Sequence, residues 1–106
     1  MSILVLLCTC PADAADRLAE TVVGEGLAAC VNRIDGVQSV YRWQGALERG
    51  VESLLLIKTA ATQYAALAQR LRTLHPYTVP EIIALPVAAG AADYLDWVLR
   101  ESTPQA

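Results

Sequence analysis

The chain of 106 residues contains one histidine, His75, and no serine in a nucleophile-elbow pattern. A Ser-His-Asp hydrolase is therefore excluded. No G-x-G-x-x-G and no P-loop motif occurs, and Gly24-Glu25-Gly26 is too short to cradle a phosphate. Asp93 and Asp96 pair in what reads as a helix first turn, where carboxylates favour the helix dipole. With no catalytic constellation present, the chain is not expected to be an enzyme. No apolar run approaches the roughly 18 residues of a membrane span. Residues 3–10 are apolar, but no positively charged leader precedes them and Pro11 and Asp13 open a helix directly afterwards, so they read as a strand and not as a signal peptide. The eight basic residues are scattered, and the net charge of −3 with a pI near 4.9 opposes nucleic acid and anionic membrane as partners. Three cysteines are an odd number and close no disulfide framework, so the expected compartment is the reducing cytoplasm. There is no low-complexity stretch and no linker. One domain over residues 1–106 is expected, with residues 102–106 frayed.

Apolar residues, in contrast, make up 55% of the chain. In so small a domain surface dominates volume, and this excess implies a further buried surface, an oligomer interface. Residues 3–7 form an unbroken apolar run, the mark of a strand buried on both faces. Pro11 and Asp13 open a helix with Ala15, Leu18, Ala19, Val22 and Val23 on one side. A strand over residues 28–43 bends near Asp35-Gly36, turns at Gln44-Gly45 and returns over residues 46–59. Thr59 or Thr62 is expected to cap a second helix with Tyr64, Leu67, Ala68, Leu71 and Leu74 as its stripe. Pro76 stops it. Residues 82–87 form a strand whose Pro86 belongs at a sheet edge. A last helix begins near Asp93 and carries Tyr94, Leu95, Trp97 and Val98. The order describes the split βαβ unit, an α+β sandwich βαββαβ with antiparallel sheet order 4-1-3-2. Both crossover helices cover one face. The other face is also apolar and has too little chain left to cover more than a corner, so it is expected to meet other subunits.

Several residues are candidates for chemistry. Cys8 and Cys10 alternate onto one strand face, where thiolates suit copper(I) or zinc and where cysteine also serves as a small buried hydrophobe. Cys30 reads as core. The segment His75-Pro76-Tyr77-Thr78-Val79-Pro80-Glu81-Ile82 is stiff and extended because each proline bars helix for the residue before it. His75 is either a metal ligand, an acid–base group or a ring closing the carbonyl end of the preceding helix. Glu81 has little packing value there; it can ligate a metal, pair with Lys58 or Arg42, or bind a polar ligand. Tyr41, Arg42, Trp43 and Tyr77 have the chemistry of interface anchors. The alternative is that Trp43 and Tyr77 line an inter-subunit cleft with Lys58, His75 and Glu81, to which Asn32 and Arg33 add polar contacts.

In order along the chain stand Cys8-Thr9, Leu27-Ala28-Ala29-Cys30-Val31-Asn32, Tyr41-Arg42-Trp43-Gln44-Gly45, Leu56-Ile57-Lys58-Thr59, His75-Pro76-Tyr77 with Pro80-Glu81-Ile82, and Asp93-Tyr94-Leu95-Asp96-Trp97. From residue 5 to about residue 99 this succession resembles the CutA divalent-cation-tolerance family. The resemblance implies a ferredoxin-like fold with an added C-terminal helix, a PII-like homotrimer, and a role in metal ion tolerance with copper or another divalent cation as ligand. It implies copper ligands matching Cys8, a histidine just before His-Pro-Tyr, and Glu81. Here that middle position is Leu74, so copper is expected to bind weakly and outside a dedicated site. The other expectations it leaves are a PII-like small-molecule-binding signalling trimer and a rigid scaffold for a partner protein.

Overall fold

The computed structural model describes residues 2–103. Strand β1 (Ile3–Cys10) leads into helix α1 (Ala12–Gly24). Two long strands, β2 (Cys30–Trp43) and β3 (Ala46–Ala60), follow, then helix α2 (Tyr64–Leu74), strand β4 (Ile83–Pro86) and helix α3 (Ala92–Glu101). The sheet order β2-β3-β1-β4 is the expected 4-1-3-2 read from the other edge, and every pairing is antiparallel.

Period-two alternation divides the sheet into two faces. Leu6, Cys8 and Cys10 of β1 and Leu55 and Ile57 of β3 meet Leu18 and Val22 of α1 and Leu67 and Leu71 of α2 in one core. Each of these large side chains is fully buried, worth about 1.5–3 kcal/mol apiece. Helix α1 ends in a Schellman motif. Gly26 sits at φ 74°, its N–H donates to the Val23 carbonyl, and Leu27 N–H donates back to Val22, closing the apolar pair Val22–Leu27 over the core. Gln44 (φ 50°) and Gly45 (φ 83°) make the tight two-residue turn of the β2–β3 hairpin, with Trp43 opposite Ala46.

The second sheet face carries Val5 and Leu7 of β1, Leu54 and Leu56 of β3, Ile34 of β2, and Ile83 and Leu85 of β4. Helix α3 covers only the corner around Ile3 and Ala29, through Val98, Leu95 and Trp97. Ile83 and Leu85 are each about half exposed, at 49% and 50%. At its other end the loop between α2 and β4 reaches Glu52 through Tyr77.

Four local expectations are corrected. No threonine caps α2: a 3-10 turn, Ala61–Gln63, leads into it, and Thr59 lies within β3 with Oγ1 donating to the Leu27 carbonyl at 2.8 Å. Strand β2 begins at Cys30, because Ala28 N–H still bonds back to Val22 at the end of α1 and Ala29 makes the first bond to β3, at the Lys58 carbonyl. Ser102 is buried and not frayed, its Oγ accepting Ala60 N–H at 2.9 Å. Residues 104–106 of that expected tail lie outside the described residues. Tyr64 and Tyr94 stay exposed at the rims of their helix stripes. No helix among the described residues is long and apolar enough to cross a membrane.

Candidate functional site

The β2–β3 hairpin outruns β1, whose last pairing is Cys10 with Ser53. Beyond that point the hairpin is a two-stranded arm. At its root the register jumps from Ile34↔Leu54 to Val37↔Glu52, so β2 carries one extra residue across Asp35-Gly36. A bulge of this kind inverts the alternation of everything after it. Before the bulge the even residues of β2 share the uncovered face with Leu54 and Leu56. After it the odd residues, Val37, Ser39, Tyr41 and Trp43, share that face with Glu52.

The loop between α2 and β4 closes over this stretch and leaves a cleft of about 860 Å³. Its floor is Thr9 of β1 and Glu52 of β3. One wall is the arm, with Ser39, Tyr41 and Trp43 and the edges of Gln38 and Val40, and the other is the loop, with Tyr77, Val79 and Glu81. The Tyr77 hydroxyl donates to Glu52 Oε2 at 2.9 Å and ties loop to arm. Burial, then that hydrogen bond, push the Tyr77 phenol from 10.0 up to about 12, so it remains a protonated donor.

His75 lies beneath the cleft and does not line it. It is buried, and both ring nitrogens are committed. Tyr77 N–H donates to Nδ1 at 3.1 Å, which makes Nε2 the protonated nitrogen, and Nε2 donates to the Thr9 carbonyl at 2.8 Å. The ring packs at 4.7 Å from the Tyr77 ring, tilted by 52°. Of the three roles open to His75, closing the helix end falls to another residue: Arg17 Nη2 donates to the Leu74 carbonyl at 3.0 Å. The imidazole instead fastens the Pro76–Pro80 loop to β1 and holds the ring of Tyr77.

The remaining candidates fall in different places. Trp43, Tyr77 and Glu81 line the cleft together. Lys58 does not: it stands on the uncovered sheet face between Val5 and Cys30 in register, its Nζ donating to Asn32 Oδ1. Cys30 Sγ also contacts Asn32 Oδ1, at 3.9 Å. Arg33 is turned to the helix side, where it donates to Asp16 and Asp35 at 2.7 Å each and to the Ala12 carbonyl at 3.2 Å. Arg42, paired with Leu47, points away from the cleft face by alternation. Tyr41 and Trp43 are about half exposed. Glu81 forms no ion pair with Lys58 or Arg42 among the described residues.

Cys8 is fully buried on the helix side of β1. Burial pushes its thiol from 9.0 up to about 12, and Cys10, Glu81 and Glu52 add to the rise. Cys10 is raised as well, by burial first. Both are therefore thiols, the weak form for ligating metal. Leu74, in the place of the third ligand, packs against the core. Among the described residues no group of three or more His, Cys, Asp or Glu side chains converges to hold a metal ion. Thr9 and Glu52 escaped the reading of the sequence. The bend at Asp35-Gly36 was visible there, and its effect on alternation was the signal that leads to Glu52.

A four-stranded ferredoxin-like sheet with an added helix, a projecting hairpin arm and a loop-closed cleft defines a class of small α+β proteins. Residues 4–101 match the family of the CutA1 divalent ion tolerance protein. The divalent-cation tolerance protein CutA of Thermus thermophilus is 51% identical over 100 residues, covering 93% of this chain and 96% of that one. The crystal structure of CutA from Xylella fastidiosa superposes with a TM-score of 0.94 at 41% identity, over 97% of this chain and 100% of that one. The periplasmic divalent cation tolerance protein CutA from Archaeoglobus fulgidus gives 0.92 at 29% identity, over 95% and 99%. The chain belongs to the CutA1 divalent ion tolerance family.

Proposed function

We propose that this protein serves divalent-cation tolerance as a cytoplasmic homotrimer whose ligand site is the cleft between arm and loop, at or beside the subunit boundary. The observation that carries the assembly is the uncovered sheet face, where Leu7, Leu54, Leu56, Ile83 and Leu85 form one apolar surface. Three such faces turned toward one another would be buried, with Tyr41, Arg42 and Trp43 of the arm as contacts. Interfaces of obligate assemblies exceed about 2,000 Å². The three free cysteines support a reducing compartment. Copper is a weak ligand in this reading, because Cys8 is buried on the helix side of β1 while Glu81 lines the cleft, and no third donor joins them among the described residues. The size and aromatic lining of the cleft favour a second reading, small-molecule binding in a PII-like trimer.

Analytical ultracentrifugation at micromolar concentration is expected to give a species of three chain masses, and a single species of monomer mass refutes the assembly. Copper affinity, measured by competition with a chelator of known affinity, is expected to be weak in the native chain and to rise in Leu74→His. Tight binding that survives both Cys8→Ser and Glu81→Ala refutes the metal assignment. Cell fractionation with antibody detection checks the compartment.

A further inference from the structure

The chemistry of the cleft is one-sided. Its lining holds three aromatic rings, Tyr41, Trp43 and Tyr77, and two carboxylates, Glu52 and Glu81, and it holds no lysine, arginine or histidine. The cations nearest in sequence are directed elsewhere. Arg42 and Arg49 fall on the other face of the arm by alternation, Arg33 is bound to α1, and Lys58 is bound to Asn32. An anionic ligand would meet two uncompensated carboxylates. A bare metal ion would find no converging set of three donors, and at about 860 Å³ the space is that of an organic molecule.

We propose that the cleft binds an organic ammonium ion, its charge set against the faces of Tyr41, Trp43 and Tyr77 and balanced by Glu52 and Glu81. The proposal rests on the reading of this cleft as the ligand site and names its ligand class. Aromatic faces attract cations through the ring quadrupole, and groups of such rings are how proteins recognise substituted ammonium groups, which shed water more readily than a metal ion does. Glu52 lines the cleft and accepts the Tyr77 hydroxyl on Oε2, a bond that ties the Tyr77 ring to the arm. His75 supports that ring from below. Glu81 is exposed on the opposite lip and forms no ion pair among the described residues.

The test is isothermal titration calorimetry on the full chain with choline and with 3,3-dimethylbutan-1-ol, its uncharged isostere. Choline is expected to bind at least ten-fold more tightly than the alcohol. Glu81→Gln and Tyr41→Leu are each expected to weaken choline several-fold and leave the alcohol unchanged, with circular dichroism confirming that both variants fold. Equal affinities for the two probes, or a choline affinity indifferent to both variants, overturns the proposal. That failure is separate from failure of the trimer and copper reading. Ultracentrifugation and chelator competition decide that one without choline, and a monomer that still discriminates choline from the alcohol would refute only the assembly.

Discussion

Replacing His75 by alanine is expected to cost the fold about 2–4 kcal/mol. The imidazole makes two hydrogen bonds, to the Thr9 carbonyl at 2.8 Å and from Tyr77 N–H at 3.1 Å, and it packs on the Tyr77 ring at 4.7 Å. A satisfied hydrogen bond contributes only about 0.5–1.5 kcal/mol net, but a buried partner left alone costs about 1–3 kcal/mol. Water reaches Tyr77, which is 39% exposed, and this lowers the penalty on that side. Loss of the ring's packing raises the total back into the stated range. The assay is equilibrium urea denaturation of the metal-free protein at fixed protomer concentration, since an oligomer's stability depends on it. Gln in the same place retains one donor and one acceptor and is expected to recover part of the loss. A metal ligand would behave in the opposite way, its removal changing copper affinity and sparing the metal-free fold. A loss under about 0.5 kcal/mol, together with a ten-fold fall in copper affinity, would refute the structural role assigned to this ring.

Two further outcomes test the fold and the thiols. Gly45→Ala places a side chain at φ 83°, where space is open but the backbone is strained. It should cost about 1 kcal/mol or more in thermal unfolding, and no change would show that the turn relaxes freely. For Cys8 the folded thiol is raised from 9.0 to about 12, so the native state holds the proton more tightly. Its contribution is fully present below pH 9 and lost as pH rises toward 12. Stability of the parent should therefore fall more steeply over that window than that of Cys8→Ala, and parallel curves would show that the thiol is not desolvated.

How much of this was legible in the sequence varies with the range of the forces involved. The unbroken run at residues 3–7 and the glycine of Gln44-Gly45 act locally, and both gave the right strand and the right turn. Sheet order followed, because Pro86 cannot sit in a central strand and the helices must share one face. The end of β3 was harder to read. The strand expected over residues 46–59 runs one residue further, pairing Ile3↔Ala60, and this keeps Thr59 inside the strand and away from any cap. The partners of His75 were out of reach for the same reason. Thr9 lies 66 residues away in sequence, and only the closed fold brings them together. The burial of Cys8 followed its alternation onto the helix face, a choice of side that spacing leaves open. The uncovered face was legible because it is a property of counting: four strands, two crossover helices and one short helix cannot cover two sides.

The bulge at Asp35-Gly36 decides what the cleft can bind. Arg33 Nε and Ser53 Oγ both donate to Asp35 Oδ1 at 2.7 Å, and Arg33 reaches on to Asp16 of α1. Its guanidinium, then Ser53, hold the Asp35 carboxyl below its ordinary value. The extra residue is thereby fastened at the root of the arm, to the helix layer on one side and to β3 on the other. Were the same residues paired without a bulge, Gly36 would stand opposite Glu52 and the two sides of β2 would be exchanged throughout the arm. Val40 and Arg42 would then share a face with Glu52, in place of Tyr41 and Trp43. A guanidinium would face the Glu52 carboxylate, the aromatic faces would turn outward, and no cation could be held. The chemistry of the cleft is thus set outside its lining, by the bulged pairing at Asp35-Gly36. Sequence spacing between the aromatic residues and the carboxylates does not by itself reveal this arrangement, because the alternation that joins them is broken between Ile34 and Val37.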